Sequence, residues 1–325
     1  VTIFLSLFFF ILNKRINLCF NLDLIKTSIN QMRKINTFLA FTFVILSAVS
    51  CKKETTTETT VTEVSDTVAQ PATAQKIVSL NGAVTEIVAA LGHEKELVGV
   101  DVTSTYPESV NKTAKDLGHV RTISIESIMA LNPTLIIGTD KDLSPELLEK
   151  IKSSGVKAEL FKQEFTPAGT KKLIADVAGV LNHKDFTALN TKIDTDLKNV
   201  KPLANAPKVL FIYARGANML MVSGTGTPVD KVITLAGAKN AVTDFEDYKP
   251  LTPEALIKGN PDVILMFDSG VESVKGIAGV LKIPGVDKTN AGKNKKIITM
   301  DGGLLSGFGP RLGEAATQLN SELSK

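Results

Sequence analysis

The chain has 325 residues, 43% apolar and 22% charged, enough for two ordinary domains with their own cores. Five of its 37 Lys/Arg and one of its 34 Asp/Glu fall in residues 1–50, which leaves 32 basic against 33 acidic side chains in the rest. That balance excludes an electrostatic case for nucleic acid. Both cysteines, Cys19 and Cys51, lie in the first sixth of the chain, so residues 52–325 hold neither a disulfide nor a cysteine metal site.

Residues 32–51 read MRKINTFLAFTFVILSAVSC. Arg33 and Lys34 give a positive start, Phe38 to Val49 an apolar run too short to span a bilayer comfortably, and small residues lead to a cysteine. This looks like a bacterial lipoprotein signal, with cleavage before Cys51 and lipid on Cys51, although the Ala48-Val49-Ser50-Cys51 box lacks the usual leucine three residues before the cysteine. A secretory signal cut elsewhere, or a retained anchor, is the alternative. Translation is expected to start at Met32. Residues 1–50 are thus read as a signal region and residues 51–75 as a lipidated cysteine followed by a Thr-rich tether, too poor in large apolar residues to fold. The expected location is the cell envelope, on the periplasmic side or the cell surface.

From Lys76 the pattern alternates strands and helices. Ile77–Leu80 and Leu97–Val100 read as strands, and Ala83–Leu91 as a helix ended by Gly92. Ile125–Leu131 is helical up to Asn132-Pro133, and Thr134–Ile137 is a strand. Ser144-Pro145 opens a further helix, and Ala158–Phe161 is a strand. The second half repeats the first: IESIMALNPTLIIGT (125–139) aligns with PEALIKGNPDVILMF (253–267), each with an acid near a helix start, Asn-Pro and a buried strand. Lys296–Met300 is read as a later strand of that half. Between the halves, Phe186, Leu189, Ile193, Leu197 and Val200 recur at helical spacing within residues 183–201, a helix of about 28 Å. The predicted fold is α/β: two similar lobes with mainly parallel sheets, residues 76–182 and 206–325, joined by a single long helix in residues 183–205 that permits little closure.

Two lobes, a helical strut and a lipoprotein address resemble the substrate-binding proteins of bacterial ABC importers, in the helical-backbone (class III) group that takes up haem, siderophores, cobalamin and some bare metals. The resemblance covers residues 76–323. It implies a monomer that catalyses nothing, with permease and ATPase subunits as partners and the membrane reached through the anchor. A bare metal is disfavoured because His93, His119 and His183 are the only histidines, with His93 read as a surface residue.

The stretch VGVDVTSTYPESV (98–110) resembles the haem-binding branch, whose pattern is Val-Gly-Val-Asp-x-Thr-Ser-x-Tyr-Pro. There the tyrosine holds ferric haem iron through its phenolate, which gives that role to Tyr106. From spacing alone Tyr106 is a ring packing a loop. A hard phenolate oxygen suits a hard ferric ion, and Pro107 biases the preceding residue toward extended backbone. DLGHVRTIS (116–124), FIYARGANMLMVSGTGTPVD (211–230), DYKPLTPEAL (247–256) and GFGPRLGEAA (307–316) carry the same resemblance. With haem as the ligand, Arg121, in the neighbouring strand-end loop, is read as a donor to the phenolate and Arg215, Lys249 and Arg311, in loops of the second lobe, as propionate partners, each equally a plain surface charge; Tyr248, Met219 and His119 are further pocket candidates. Glu126 and Glu254, the repeated acids, take the role of docking onto the permease. They are equally first-turn acids that a helix dipole favours. A siderophore or cobalamin on the same fold is the alternative ligand, and a chelatase-like enzyme the alternative of another class.

Overall fold

The computed structural model describes residues 75–325; the signal region, Cys51 and most of the tether lie outside the described residues. In the N-terminal lobe the chain runs β1 (Ile77–Ser79), α1 (Gly82–Ala90), β2 (Leu97–Val100), α2 (Val110–Thr113), β3 (Lys115–Asp116), α3 (Ile125–Met129), β4 (Leu135–Thr139), α4 (Pro145–Ser153) and β5 (Lys157–Phe161). The five strands form one sheet in the order β3-β2-β1-β4-β5, and every pairing is parallel. Parallel strands must be covered on both faces, and the side chains divide accordingly. Ile77, Leu135 and Ile137 join a core with α1, while Val78, Leu80 and Ile136 join a second core on the opposite face.

Two helices follow, α5 (Pro167–Val180) and α6 (Thr187–Lys198). The single strut expected over 183–201 is therefore shorter and is one of a pair. The chain leaves α5 through a turn at 181–182, with Asn182 in the left-handed conformation, and Asp185 Oδ1 accepts from Thr187 N at 3.0 Å, so residues 183–186 are a non-helical connection. The helical spacing itself holds: Ile193 is buried in the α1-side core, with Phe186, Leu189 and Leu197 packed against it.

The C-terminal lobe continues with β6 (Lys208–Ala214), β7 (Leu220–Ser223), α7 (Pro228–Leu235), β8 (Lys239–Asn240), β9 (Tyr248–Pro250), α8 (Pro253–Gly259) and β10 (Val263–Phe267). It ends with α9 (Asp268–Ser273), α10 (Ile277–Val280), α11 (Asn290–Lys293), β11 (Ile297–Met300), α12 (Gly302–Ser306) and α13 (Leu312–Leu323). Its sheet has the order β11-β10-β6-β7-β9, with β8 also on β6. This sheet is mixed: β6–β7 and β7–β9 are antiparallel. Phe211 and Leu265 face one core, Leu210, Ile212, Ile264 and Met266 the other.

The internal repeat is a repeat of structure. Ser124 and Thr252 cap α3 and α8 by accepting from the backbone N–H three residues on, and Glu126 and Glu254 stand at the same place in the first turn. Asn132 and Asn260 both take positive φ before proline, and each chain then enters a buried strand. Asparagine tolerates that left-handed turn, and proline ends the helix.

Candidate ligand-binding cleft

In the N-terminal sheet the strand order reverses between β1 and β4, and open α/β sheets take ligands outside the carboxyl ends of strands at such a point. Here that crevice is occupied by the chain's own polar groups. Asn81 Nδ2 donates to Thr139 Oγ1 and Asp142 Oδ2, both at 3.1 Å, and Asn81 Oδ1 caps α1 by accepting from Ala83 N and Val84 N. A neighbouring strand carboxyl end is the loop after β2.

That loop is Asp101 to Pro107, and its residue types explain its shape. The buried Asp101 carboxylate accepts from Thr103 N at 3.1 Å, from the Thr103 hydroxyl at 2.6 Å and from the Ser104 hydroxyl at 2.8 Å. Ser104 Oγ lies 2.7 Å from Thr85 Oγ1, which donates to Ser79 Oγ, so the loop is tied to α1 and β1. Burial pushes the Asp101 carboxyl above its usual range, against the lowering effect of the Thr103 and Ser104 hydrogen bonds. The Thr103 hydroxyl oxygen also accepts from Gly82 N at 3.0 Å. The Asp-x-Thr-Ser pattern thus builds a pedestal. Tyr106 stands on it, 47% exposed, with a cis peptide to Pro107 and no hydrogen bond from its hydroxyl among the described residues.

One face of the Tyr106 ring is covered from the other lobe. The Arg311 guanidinium carbon lies 3.8 Å from the ring centroid, a cation–π contact. Arg311 Nε also donates to both carboxylate oxygens of Glu86 at 3.1 Å, and Nη2 donates to Oε1. The sequence reading offers Arg311 to a propionate; in this structure it pairs with Glu86 and lies over Tyr106. Burial pushes the Glu86 carboxyl up, partly offset by the hydrogen bond and charge of Arg311. The lobes meet along the same segment: Gln163 Nε2 donates to Gly307 O at 2.8 Å, and the Thr170 hydroxyl to Phe308 O at 3.3 Å. Close approach explains one glycine beside it, since a Cβ on Gly303 would sit 2.9 Å from Thr105 Oγ1 of the pedestal loop.

The other candidates disperse. Arg121 is exposed and no side-chain contact joins it to Tyr106; the cation that meets the ring is Arg311. His119 is half-buried, and its Nδ1 accepts from Arg121 N at 3.3 Å. Arg215 follows β6 with its guanidinium 5.8 Å from the Tyr213 ring centroid, and Lys249 Nζ lies 4.6 Å from the Phe245 ring centroid; both are exposed. Met219, in the β6–β7 turn, is also exposed. Tyr248 turns inward: it packs against the C-terminal-lobe core, and burial pushes its phenol up to about 12. His93 is half-buried rather than on the open surface, its Nδ1 2.9 Å from Glu96 Oε1 and its ring edge-on to His183. No group of three or more His, Cys, Asp or Glu among the described residues is arranged to hold a metal ion. A groove lined by Asp140, Lys141, Leu148, Lys162, Gln163 and Glu164 opens beside β4 and β5.

Sequence reasoning missed Glu86. The available signal was an acid inside GAVTEIVAA, a helix whose neighbouring residues are apolar.

Glu126 and Glu254 are both exposed and outside every ion pair formed among the described residues; Lys150, near Glu126, pairs with Glu146. Glu126's own backbone N–H, and then the Ser124 side chain, hold its carboxyl below the usual range.

Two doubly covered lobes joined by a helix pair, with a tyrosine held out where they meet, define a protein built to hold a ligand between its halves. The chain belongs to the periplasmic binding protein family, whose model matches residues 77–304. It is 38% identical to the periplasmic haem-binding protein RhuT from Roseiflexus sp. RS-1, with a TM-score of 0.75 over 78% of this chain and 98% of that one. It is 33% identical to the periplasmic haem-binding protein BhuT, solved in complex with two haems, with a TM-score of 0.72 over 77% and 98%. The ABC transporter substrate-binding lipoprotein YvrC of Bacillus subtilis is 28% identical over 258 residues, 75% of this chain and 78% of that one. A vitamin B12-binding protein of Vibrio cholerae is 26% identical over 211 residues, 62% and 74%. The chain is a substrate-binding protein of an ABC transporter and not an enzyme, which removes the chelatase alternative. No helix among the described residues is long and apolar enough to cross a membrane.

Proposed function

We propose that the chain captures ferric haem between its lobes and delivers it to a permease–ATPase complex, with Tyr106 as the axial ligand. The observation that carries the reading is Tyr106 itself: half-exposed on a hydrogen-bonded pedestal, at a strand carboxyl end, with its hydroxyl unpartnered among the described residues. A ferric ion favours a phenolate oxygen, and a tyrosine so held presents its hydroxyl oxygen to the iron, which displaces the phenol proton on binding. The haem-binding names of RhuT and BhuT support the same ligand. Most of the affinity comes from burying porphyrin faces, at about 25 cal/mol per Å² of apolar area. Arg215 and Lys249 are the exposed cations of the second lobe that would meet the propionates, and Met219 is an exposed apolar side chain in the turn that follows Arg215.

Delivery requires a surface the permease can read. Glu126 and Glu254, exposed at equivalent places in the two lobes, serve as paired docking acids in this reading. The lipid on Cys51 would keep the protein at the membrane.

Absorption titration with ferric haem tests the ligand. The wild type is expected to develop a saturating Soret band with a phenolate-to-iron charge-transfer band, and Tyr106→Ala to lose the second and weaken binding by on the order of a hundredfold. Equal binding by Tyr106→Ala would refute the axial role. Cobalamin, the second reading favoured by the relatives named for vitamin B12, is tested in the same cuvette: saturable cobalamin binding without haem binding replaces the proposal.

A further inference from the structure

Glu86 is the buried carboxylate at the joint between the lobes. It lies on α1, where Ala83, Val84, Ile87 and Val88 are buried, and is itself only 8% exposed. An isolated carboxylate in that setting is costly, so it must be paired. Its partner comes from 225 residues away in sequence and from the opposite lobe: Arg311 Nε donates to both carboxylate oxygens at 3.1 Å. The fork geometry fixes the plane of the guanidinium as well as its position. That group lies against the Tyr106 ring, 3.8 Å from its centroid.

We propose that Glu86 is a positioning residue for Tyr106, acting through Arg311. The inference rests on the reading of Tyr106 as the ligand to iron. The carboxylate holds the guanidinium over one face of the ring. It fixes the ring's tilt and leaves approach to the phenol oxygen from the uncovered side only. Without Glu86 the guanidinium has other carboxylates to turn to, because Asp301 and Glu314, both of the C-terminal lobe, also act on it. The same pair ties α1 to the 307–311 segment, so the geometry offered to iron depends on the lobes being joined.

A contact that only staples the lobes together would change stability and leave the ring alone, so the test reads the ring. Tyrosine-labelled protein without ligand gives ring resonances for Tyr106, assigned by their loss in Tyr106→Phe. In Glu86→Gln the Tyr106 resonance is expected to move toward its position in Arg311→Ala, with far-ultraviolet circular dichroism unchanged. An unmoved resonance in folded Glu86→Gln overturns the proposal whatever the ligand proves to be. Should Glu86→Gln fail to fold, Arg311→Lys serves as the second variant, because it keeps a charge for Glu86 and removes the planar fork. Its Tyr106 resonance is expected to shift, and an unshifted one overturns the proposal equally. With ferric haem, Glu86→Gln is expected to bind about tenfold more weakly, the scale of a desolvated cation–π contact, and to show an altered charge-transfer band. Wild-type affinity and band in Glu86→Gln count against the proposal. A wild type that forms no such band removes the axial role of Tyr106 instead, and the ligand-free resonances still decide whether Glu86 orients the ring.

Discussion

Tyr106 and Tyr248 are two of three tyrosines in the chain, and their surroundings give them opposite chemistry. Tyr106 is half-exposed with its hydroxyl unpartnered among the described residues, whereas Tyr248 is partly buried and packs against the C-terminal-lobe core. Burial disfavours a phenolate, which pushes Tyr248 up to about 12. A ligand that needs phenolate oxygen therefore finds Tyr248 unsuited. The shift also sets a pH dependence. The unfolded phenol titrates near 10, so the stability contributed by neutral Tyr248 is complete below about pH 10 and is lost as pH rises through about 12. Ultraviolet titration of phenolate absorbance should show a late component near 12 in the wild type that is missing from Tyr248→Phe. A late component of the same size in both proteins would assign it to another tyrosine.

The pedestal loop is held by the first turn of α1, and Gly82 is one of the places where the two touch. A Cβ on Gly82 would sit 2.4 Å from Thr103 O, a backbone atom that yields only if the loop moves. Alanine favours a helix over glycine by about 0.5–1 kcal/mol, but overpacking against backbone costs about 1–3 kcal/mol, so the clash decides the sign. Gly82→Ala is expected to lower the melting temperature and, by displacing Thr103 and with it Tyr106, to weaken haem binding; unchanged melting and binding would mean the loop absorbs the methyl group. None of this contact was legible in the sequence, because it joins residues 21 apart through the backbone. What was legible follows from periodicity and punctuation. Leu97–Val100 is the strand that its apolar run predicts, Ser144 caps the helix that Pro145 opens, and the two Asn-Pro turns fall at matching places. The strut differs from expectation at its ends because Phe186 and Val200 continue the apolar spacing beyond the hydrogen-bonded helix, Thr187–Lys198. The β6–β7 hairpin escapes a sequence reading because β7 is four residues long and its pairing is set by the turn at Gly216, with φ of 80°. At the cleft, the resemblance gives Tyr106, and the sequence reading puts Arg121 beside it and Arg311 among the propionate candidates; an arginine's partner depends on what the fold places opposite it, and Glu86 is 225 residues from Arg311.

Across the whole molecule, the proposed reading assigns capture and delivery to different residues. The tyrosine, its guanidinium and the lobe joint lie at strand carboxyl ends and in the 303–311 segment, while Glu126 and Glu254 sit in the first turns of α3 and α8. Each acid follows a capping Ser or Thr, and neither is consumed by an ion pair among the described residues. Lone exposed carboxylates contribute little to folding, so removing them is expected to leave the melting temperature nearly unchanged. In the proposed reading their value lies in a partner that supplies the cations. A two-point contact is also stronger than either point, because the second acid binds at a high effective concentration once the first is docked. Glu126→Ala and Glu254→Ala singly should weaken the haem-dependent stimulation of the reconstituted permease–ATPase, and the double variant should abolish it. Haem affinity in all three should match the wild type. Stimulation that survives the double substitution would move docking to another surface, and haem affinity lost together with stimulation would place the two acids in capture rather than delivery.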